Sequence, residues 1–341
     1  MRKGKQTVIF EKPVTIFETS STVGKKEGEG PLATEFDVVL EDDYYGEESW
    51  EKAESKLQEE TARRVIEKCG IREEDINYIL AGDLLNQCVG AHYAMREMNI
   101  PFLGLYGACS TMAESMMIGS MLISGGCADN ALCVTSSHFC SAEKQYRFPL
   151  EYGGQRAPSA QWTVTGSGAA FLRCDGEGPF IKAVTTGKII DMGINDVNNM
   201  GGAMAGAAAD TLTALFRDTG TNPQDYDVII TGDLATVGSD VFCELMDKNG
   251  YNIYPKHKDC GKMIYDIKGQ DVHAGGSGCG CCGSVFCGHI FKELKRGNIK
   301  KMILMATGAL MNPQLLFQGE SIPSIAHALI IDTKKETKWT I

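Results

Sequence analysis

One stretch of this chain recurs further along it. Residues 70–85 read GIREEDINYILAGDLL and residues 220–235 read GTNPQDYDVIITGDLA. At a constant offset of 150 the pairs Gly70/Gly220, Asp75/Asp225, Ile79/Ile229, Gly82/Gly232, Asp83/Asp233 and Leu84/Leu234 are identical. An internal repeat constrains the fold more than local propensity does, because each copy has to build the same supersecondary unit. Each copy follows a helical pattern. From Trp50 to Cys69, the residues Trp50, Ala53, Leu57, Ala62, Val65, Ile66 and Cys69 fall on roughly one face. From Ala205 to Asp218 the apolar positions include Leu212, Leu215 and Phe216. Gly70 and Gly220 stand where a left-handed cap would end each helix. The runs at 78–80 and 228–230 then read as buried strands.

A second correspondence, at an offset of 171, relates residues 107–137 to 278–308. Both pass through a small-residue turn, a helix, a glycine (Gly126, Gly297) and a strand. The chain has 341 residues, 43% hydrophobic and 23% charged, which supports two such units and excludes a disordered chain. The expectation is an α/β fold of two similar halves, 1–175 and 176–341, joined near residues 174–180. Helices 109–124 and 281–294 are apolar nearly all round, so they are expected to pack between sheets.

With 33 basic and 44 acidic residues the net charge is −11, so no broad basic face for nucleic acid is expected. No apolar run approaches the roughly 18 residues of a membrane span, and the basic N-terminal stretch lacks the apolar segment of a secretory signal. Thirteen cysteines are an odd count, and most lie in small or apolar runs. They read as buried free thiols in a reducing compartment.

The strongest chemical signal is Gly107-Ala108-Cys109-Ser110-Thr111. A thiol at the first turn of a buried helix feels a field that favours the thiolate, and the backbone N–H groups there can hold a substrate oxygen. The other reading is a small residue at a close helix contact.

This motif, the two-half plan and the helix–strand–Gly-Asp repeat resemble the thiolase superfamily, close to β-ketoacyl-ACP synthase III, over nearly the whole chain. The N-terminal opening and the runs AGDLLNQ, LYGACSTMAES and SGCGCCGSVF more narrowly resemble the stage V sporulation protein AD family of endospore formers. The resemblance implies a layered α-β-α-β-α sandwich that pairs into a homodimer through its sheets. It also implies dipicolinic acid bound in a thiolase-like cavity, with calcium a candidate companion, for uptake into the developing spore. No membrane span is present, so that role would need integral membrane subunits of a transport complex. The implied location is peripheral, on the cytoplasmic side of the forespore inner membrane. No cofactor and no resident metal are expected.

In condensing enzymes the cysteine at the position of Cys109 works with a histidine at a second-half strand end. Here the strand end reads Thr231-Gly232-Asp233, and an anionic Asp233 would oppose a thiolate. His273, in a loop resembling the thiolase HP-x-G-x-SG loop but one residue shorter, is the candidate base. If the chain is an enzyme, it is an acyltransferase using Cys109 and His273. As a binder, its candidate ligand set is Asp83, Cys109, Ser136, His138, Cys140, Asp233 and His273. Lys144, Arg147, Arg156 and Lys188 are candidates to offset a dianionic ligand. MGGAMAGAAA at 200–209 reads as a closely packed helix start. Cys279, Cys281, Cys282 and Cys287 lack the paired C-x2-C spacing of zinc sites, and Cys281, Cys282 and Cys287 would diverge on a helix. The acidic run 35–51 reads as a solvated loop, with calcium contact the sharper alternative. No P-loop, HExxH or G-x-S-x-G motif is present.

Overall fold

The computed structural model describes residues 1–146 and 155–335. Ten principal strands form two sets of five. The first is β1 (Thr7–Val23), β2 (Ile79–Gly82), β3 (Phe102–Gly104), β4 (Asn130–Ser137) and β5 (Gly166–Arg173). The second is β6 (Phe180–Thr185), β7 (Val228–Thr231), β8 (His257–Asp259), β9 (Lys301–Ala309) and β10 (Pro323–Asp332). The spatial orders are β3-β2-β4-β5-β1 and β8-β7-β9-β10-β6. Parallel pairs lie at corresponding places, β2 with β3 and β4, and β7 with β8 and β9. The remaining pairs of each set are antiparallel. The halves do not form separate sheets, because β1 pairs antiparallel with β6 and makes one continuous sheet.

Alternation along these strands builds the layers, since successive side chains leave a strand on opposite faces. Ile79, Ala81, Leu132, Val134, Ala169 and Phe171 pack with the helices α1 (Trp50–Cys69) and α2 (Val89–Met95). Ile229, Ile303, Met305 and Ile330 pack with α5 (Met200–Thr219) and α6 (Ala235–Lys248). The intervening residues Leu80, Cys133, Leu172, Ile230, Leu304 and Leu329 face a shared central core. That core is filled by α3 (Thr111–Ser124) and by α7 (Cys279–Val285), which continues through a π-turn at Phe286–Ile290 into α8 (Phe291–Arg296). The result is the five-layer α-β-α-β-α sandwich. Both central helices have core on every side, which is why their sequences show no polar face.

The repeated helices end as their sequences require. Ser49 caps α1 by accepting from the Lys52 N–H, and Asn199 caps α5 by accepting from the Gly202 N–H. Gly70 and Gly220 take φ of 64° and 67°, the left-handed region where a Cβ is costly. Helix α5 starts at Met200, five residues before its periodicity suggests. Its glycines and alanines are buried, and a Cβ at Gly201 would lie 2.6 Å from the Leu234 carbonyl oxygen. The run 200–209 is therefore close packing.

Candidate functional site

Cys109 lies in a single 3-10 turn, Ala108–Ser110, that feeds α3. Ala108 has φ of 49°, and the turn is pressed by the other half of the molecule. A Cβ at Gly308 of β9 would stand 2.1 Å from the Gly107 carbonyl oxygen. Only glycine lets that strand approach so closely. Cys109 is 5% exposed, and its Sγ is 4.0 Å from the Ser277 hydroxyl.

Beneath both lies Asp233, fully buried just past the end of β7. Its Oδ2 accepts from the Gly278 N–H at 2.9 Å and from Ser277 Oγ at 3.3 Å, while Oδ1 accepts from Thr307 Oγ1 at 3.1 Å. The Cys109 thiol lies close enough to this carboxylate for each to shift the other's ionisation. Burial pushes the Asp233 pKa up to about 6, and these donors hold it from rising further. The same burial, with Asp233 adjacent, raises the Cys109 thiol far above its ordinary range. This corrects the thiolate expected from the helix-end field. That field is worth about 1 kcal/mol and cannot outweigh desolvation plus a neighbouring anion.

A cavity enclosing about 700 Å³ of empty space, part of it open to solvent, reaches Cys109 and Ser277. Leu84, Ala142, Met200 and Met311 make its apolar wall, and Glu143, Tyr146, Gln161 and Asn198 supply polar groups. Gln161 Nε2 donates to the carbonyl oxygens of Asp233 (2.6 Å) and Gly276 (2.9 Å). Both partners are acceptors, so the amide orientation is set, and buried Oε1 has no hydrogen-bond partner. An orphaned acceptor in a cavity wall is a place for a ligand group.

Of the candidate ligand set, Cys109 lines this cavity and Asp233 lies directly behind it. The others do different work. Asp83 is buried, with Oδ1 accepting from the Leu85 N–H and Oδ2 from the Ala91 N–H, each at 2.7 Å. It thereby holds the turn that carries Leu84 into the cavity wall. In the second half Asp259, not Asp233, does that job, accepting from the N–H groups of Leu234 and Ala235 at 2.9 Å. The repeat is preserved in sequence while its two aspartates have diverged in role. Ser136 donates to buried Glu54 (3.1 Å), as does Ser141 (2.6 Å). His138 accepts from the Cys140 N–H at Nδ1 (3.2 Å), so Nε2 carries the proton it gives to the Asp43 carbonyl oxygen (2.8 Å). Neither Ser136, His138 nor Cys140 lines the cavity. His273 has φ of 52° and places Nε2 3.3 Å from Asp271, and it is not part of the wall beside Cys109.

Among the proposed cations, Arg156 lies behind the cavity wall rather than in its lining. Its guanidinium lies 3.5 Å from Glu143, bonds the Gln161 carbonyl oxygen, and stacks over Trp162, itself stacked on Phe139. Lys144 and Lys188 pair with Glu51 and Asp210 on the surface. Arg147 lies outside the described residues. The cysteines of α7 diverge: Cys279 donates to the Ser136 carbonyl oxygen and Cys281 to that of Gly232. Among the described residues no three His, Cys, Asp or Glu side chains are arranged to hold a metal, and no helix is long and apolar enough to cross a membrane. The sequence reading missed Gln161, Glu143 and Tyr146, which sit in no motif. Ser277 was within reach, in the glycine-rich loop beside His273.

Residues 4–332 match the model of a family described as stage V sporulation protein AD. The protein of that name from Bacillus subtilis is 44% identical over 329 residues, 96% of this chain and 97% of the relative. Among solved structures, 3-oxoacyl-(acyl carrier protein) synthase III from Xanthomonas oryzae superposes with a TM-score of 0.62 at 14% identity, over 95% of this chain and all of the other. Cerulenin-bound OleA from Xanthomonas campestris gives 0.60 at 13% identity, over 95% and 98%. At these identities the likeness shows a shared fold.

Proposed function

The chain belongs to the stage V sporulation protein AD family, and from that premise we propose that it binds dipicolinic acid in the cavity at Cys109 and hands it to membrane partners for uptake into the spore. Membership gives it a part in sporulation. The observation that carries the finer reading is that the cavity is kept while its nucleophile is disarmed. The Cys109 thiol stands beside a buried carboxylate, Asp233, where a condensing enzyme would hold a histidine. Such a site has room and polar groups for a small ligand, and it works against thiolate attack.

Arg156, held on the wall residues Glu143 and Gln161, puts positive charge behind the wall, which favours an anionic ligand. Gln161 Oε1 suits a cation or proton that comes with the ligand, and calcium is one arm of the test. Docking on the forespore inner membrane through membrane subunits, as a peripheral protein, belongs to the same proposal. Pairing of two copies at β3 completes it, because β3 ends the sheet and Leu103, Tyr93 and Tyr106 around it are exposed.

Calorimetry of the purified protein with dipicolinate, with and without calcium, tests this reading. One saturable site, weakened at least tenfold in Cys109→Ala and in Gln161→Leu, is the expected result. Absence of binding under both conditions, with covalent labelling of Cys109 by an acyl thioester, would replace it with acyl transfer.

A further inference from the structure

Resting on that reading, we infer that Asp233 is the positioning residue of the site: it must take up one proton for the cavity to bind a carboxylate. The argument is a count of hydrogens. Ser277 has one hydroxyl hydrogen and Cys109 one thiol hydrogen, and both side chains line the cavity. With Asp233 ionised, the Ser277 hydrogen points back to it, and Cys109 Sγ lies 4.0 Å from the same hydroxyl. Ser277 then presents only lone pairs to the cavity, and an anion beside it meets an acceptor with a second anion behind it. With one proton on the carboxyl group, the direction reverses. Asp233 donates to Ser277 Oγ, Ser277 is free to donate into the cavity, and the negative charge behind it is gone. One proton moves from solvent to Asp233 Oδ2, and no bond to carbon or sulfur changes.

The surroundings fit this switch. The side chain of Asp233 receives the Gly278 N–H and the Thr307 hydroxyl, which remain in place in either state. The titratable groups facing it are Cys109 from the turn before α3, Cys281 from α7 and Asp259 from the end of β8. None of these is a cation, and Asp259 is a further carboxyl that favours the neutral form. The ordinary pKa of Asp233 is already lifted by burial to about 6, so ligand charge has only a short distance to move it. Ser277 joins the buried carboxyl to the cavity and offers the proton a path.

Dipicolinate titrations in buffers of different ionisation enthalpy, between pH 6 and pH 9, measure the protons taken up on binding. The wild type should take up close to one proton per ligand near pH 8. Its Kd should weaken up to about tenfold per pH unit above pH 7. Asp233→Asn, with no proton to gain, should bind with a pH-independent Kd and no proton uptake. Ser277→Ala should bind less tightly at pH 6 and match the wild type at pH 9. Binding by the wild type with no proton uptake and a flat pH profile overturns the inference and leaves the proposed ligand standing. Binding by Asp233→Asn with the full wild-type pH profile also overturns it. No binding at any pH removes the ligand assignment and this inference together.

Discussion

Two aspartates at equivalent places in a repeat show how far local sequence leaves chemistry open. Asp83 and Asp233 both follow a strand and a glycine, and both are fully buried without a cation partner in the hydrogen-bond set around them. Asp83 gives both oxygens to backbone N–H groups, whereas Asp233 receives the Ser277 hydroxyl, which reaches the cavity. Burial raises both pKa values to about 6. Replacing Asp83 by alanine leaves two buried N–H groups without acceptors, each worth about 1–3 kcal/mol. Urea denaturation of Asp83→Ala should therefore show a loss of about 3 kcal/mol. An unchanged midpoint would mean that the turn through Leu84 does not depend on this carboxylate.

At the scale of elements, the site exists because a turn from one half is clamped by a strand from the other. Gly308 in β9 lies against the Gly107 carbonyl oxygen so closely that a methyl group cannot be placed between them. Gly308→Ala should displace the Cys109 turn, cost about 3 kcal/mol and weaken ligand binding at the same time. Thermal melting and calorimetry on one preparation would check both. A variant that binds normally would show the turn to be held from its own half. The glycines that cap α1 and α5 are different: a Cβ at Gly70 or Gly220 meets nothing, and only their positive φ requires them.

The whole molecule carries buried carboxyl groups in several places. Burial pushes Glu27 to about 7, Glu54 to about 8 and Asp259 to about 7. The folded chain keeps protons on them that an unfolded chain, titrating near about 4, has released. Their contribution to stability is full below about pH 4 and is lost as pH rises through 7 to 8. His257 and His327 act in the opposite sense, since burial lowers both to about 4. Their contribution is present above about pH 6.5 and lost as pH falls through 4. Between pH 5 and 6.5 the two groups oppose each other, and above 6.5 the carboxyls act alone. With Asp83 and Asp233 the raised carboxyls outnumber the two histidines, so the melting temperature should fall gently over the first interval and by roughly a further 5 °C by pH 8.5. A rise over that range would contradict the buried, uncharged state of these acids.

The duplication, the two capped helices, the buried strands and the all-apolar central helices could be read from the chain alone. Each depends on residue spacing or on a conformation that one residue type adopts, so neighbours in sequence carry the information. The place of Cys109 at a small-residue turn before an apolar helix was equally legible. Its ionisation was not, because the thiol answers to Asp233, 124 positions away. The parts of the wall made by Gln161, Glu143 and Tyr146 were also invisible, and Ser136 and His138 were drawn by Glu54 and Asp43 into the scaffold instead. Sequence sets which hydrogen-bonding groups a chain carries and what local backbone it prefers. Which donor meets which acceptor, and how deeply each charge is taken from water, was decided only when the two halves closed on each other.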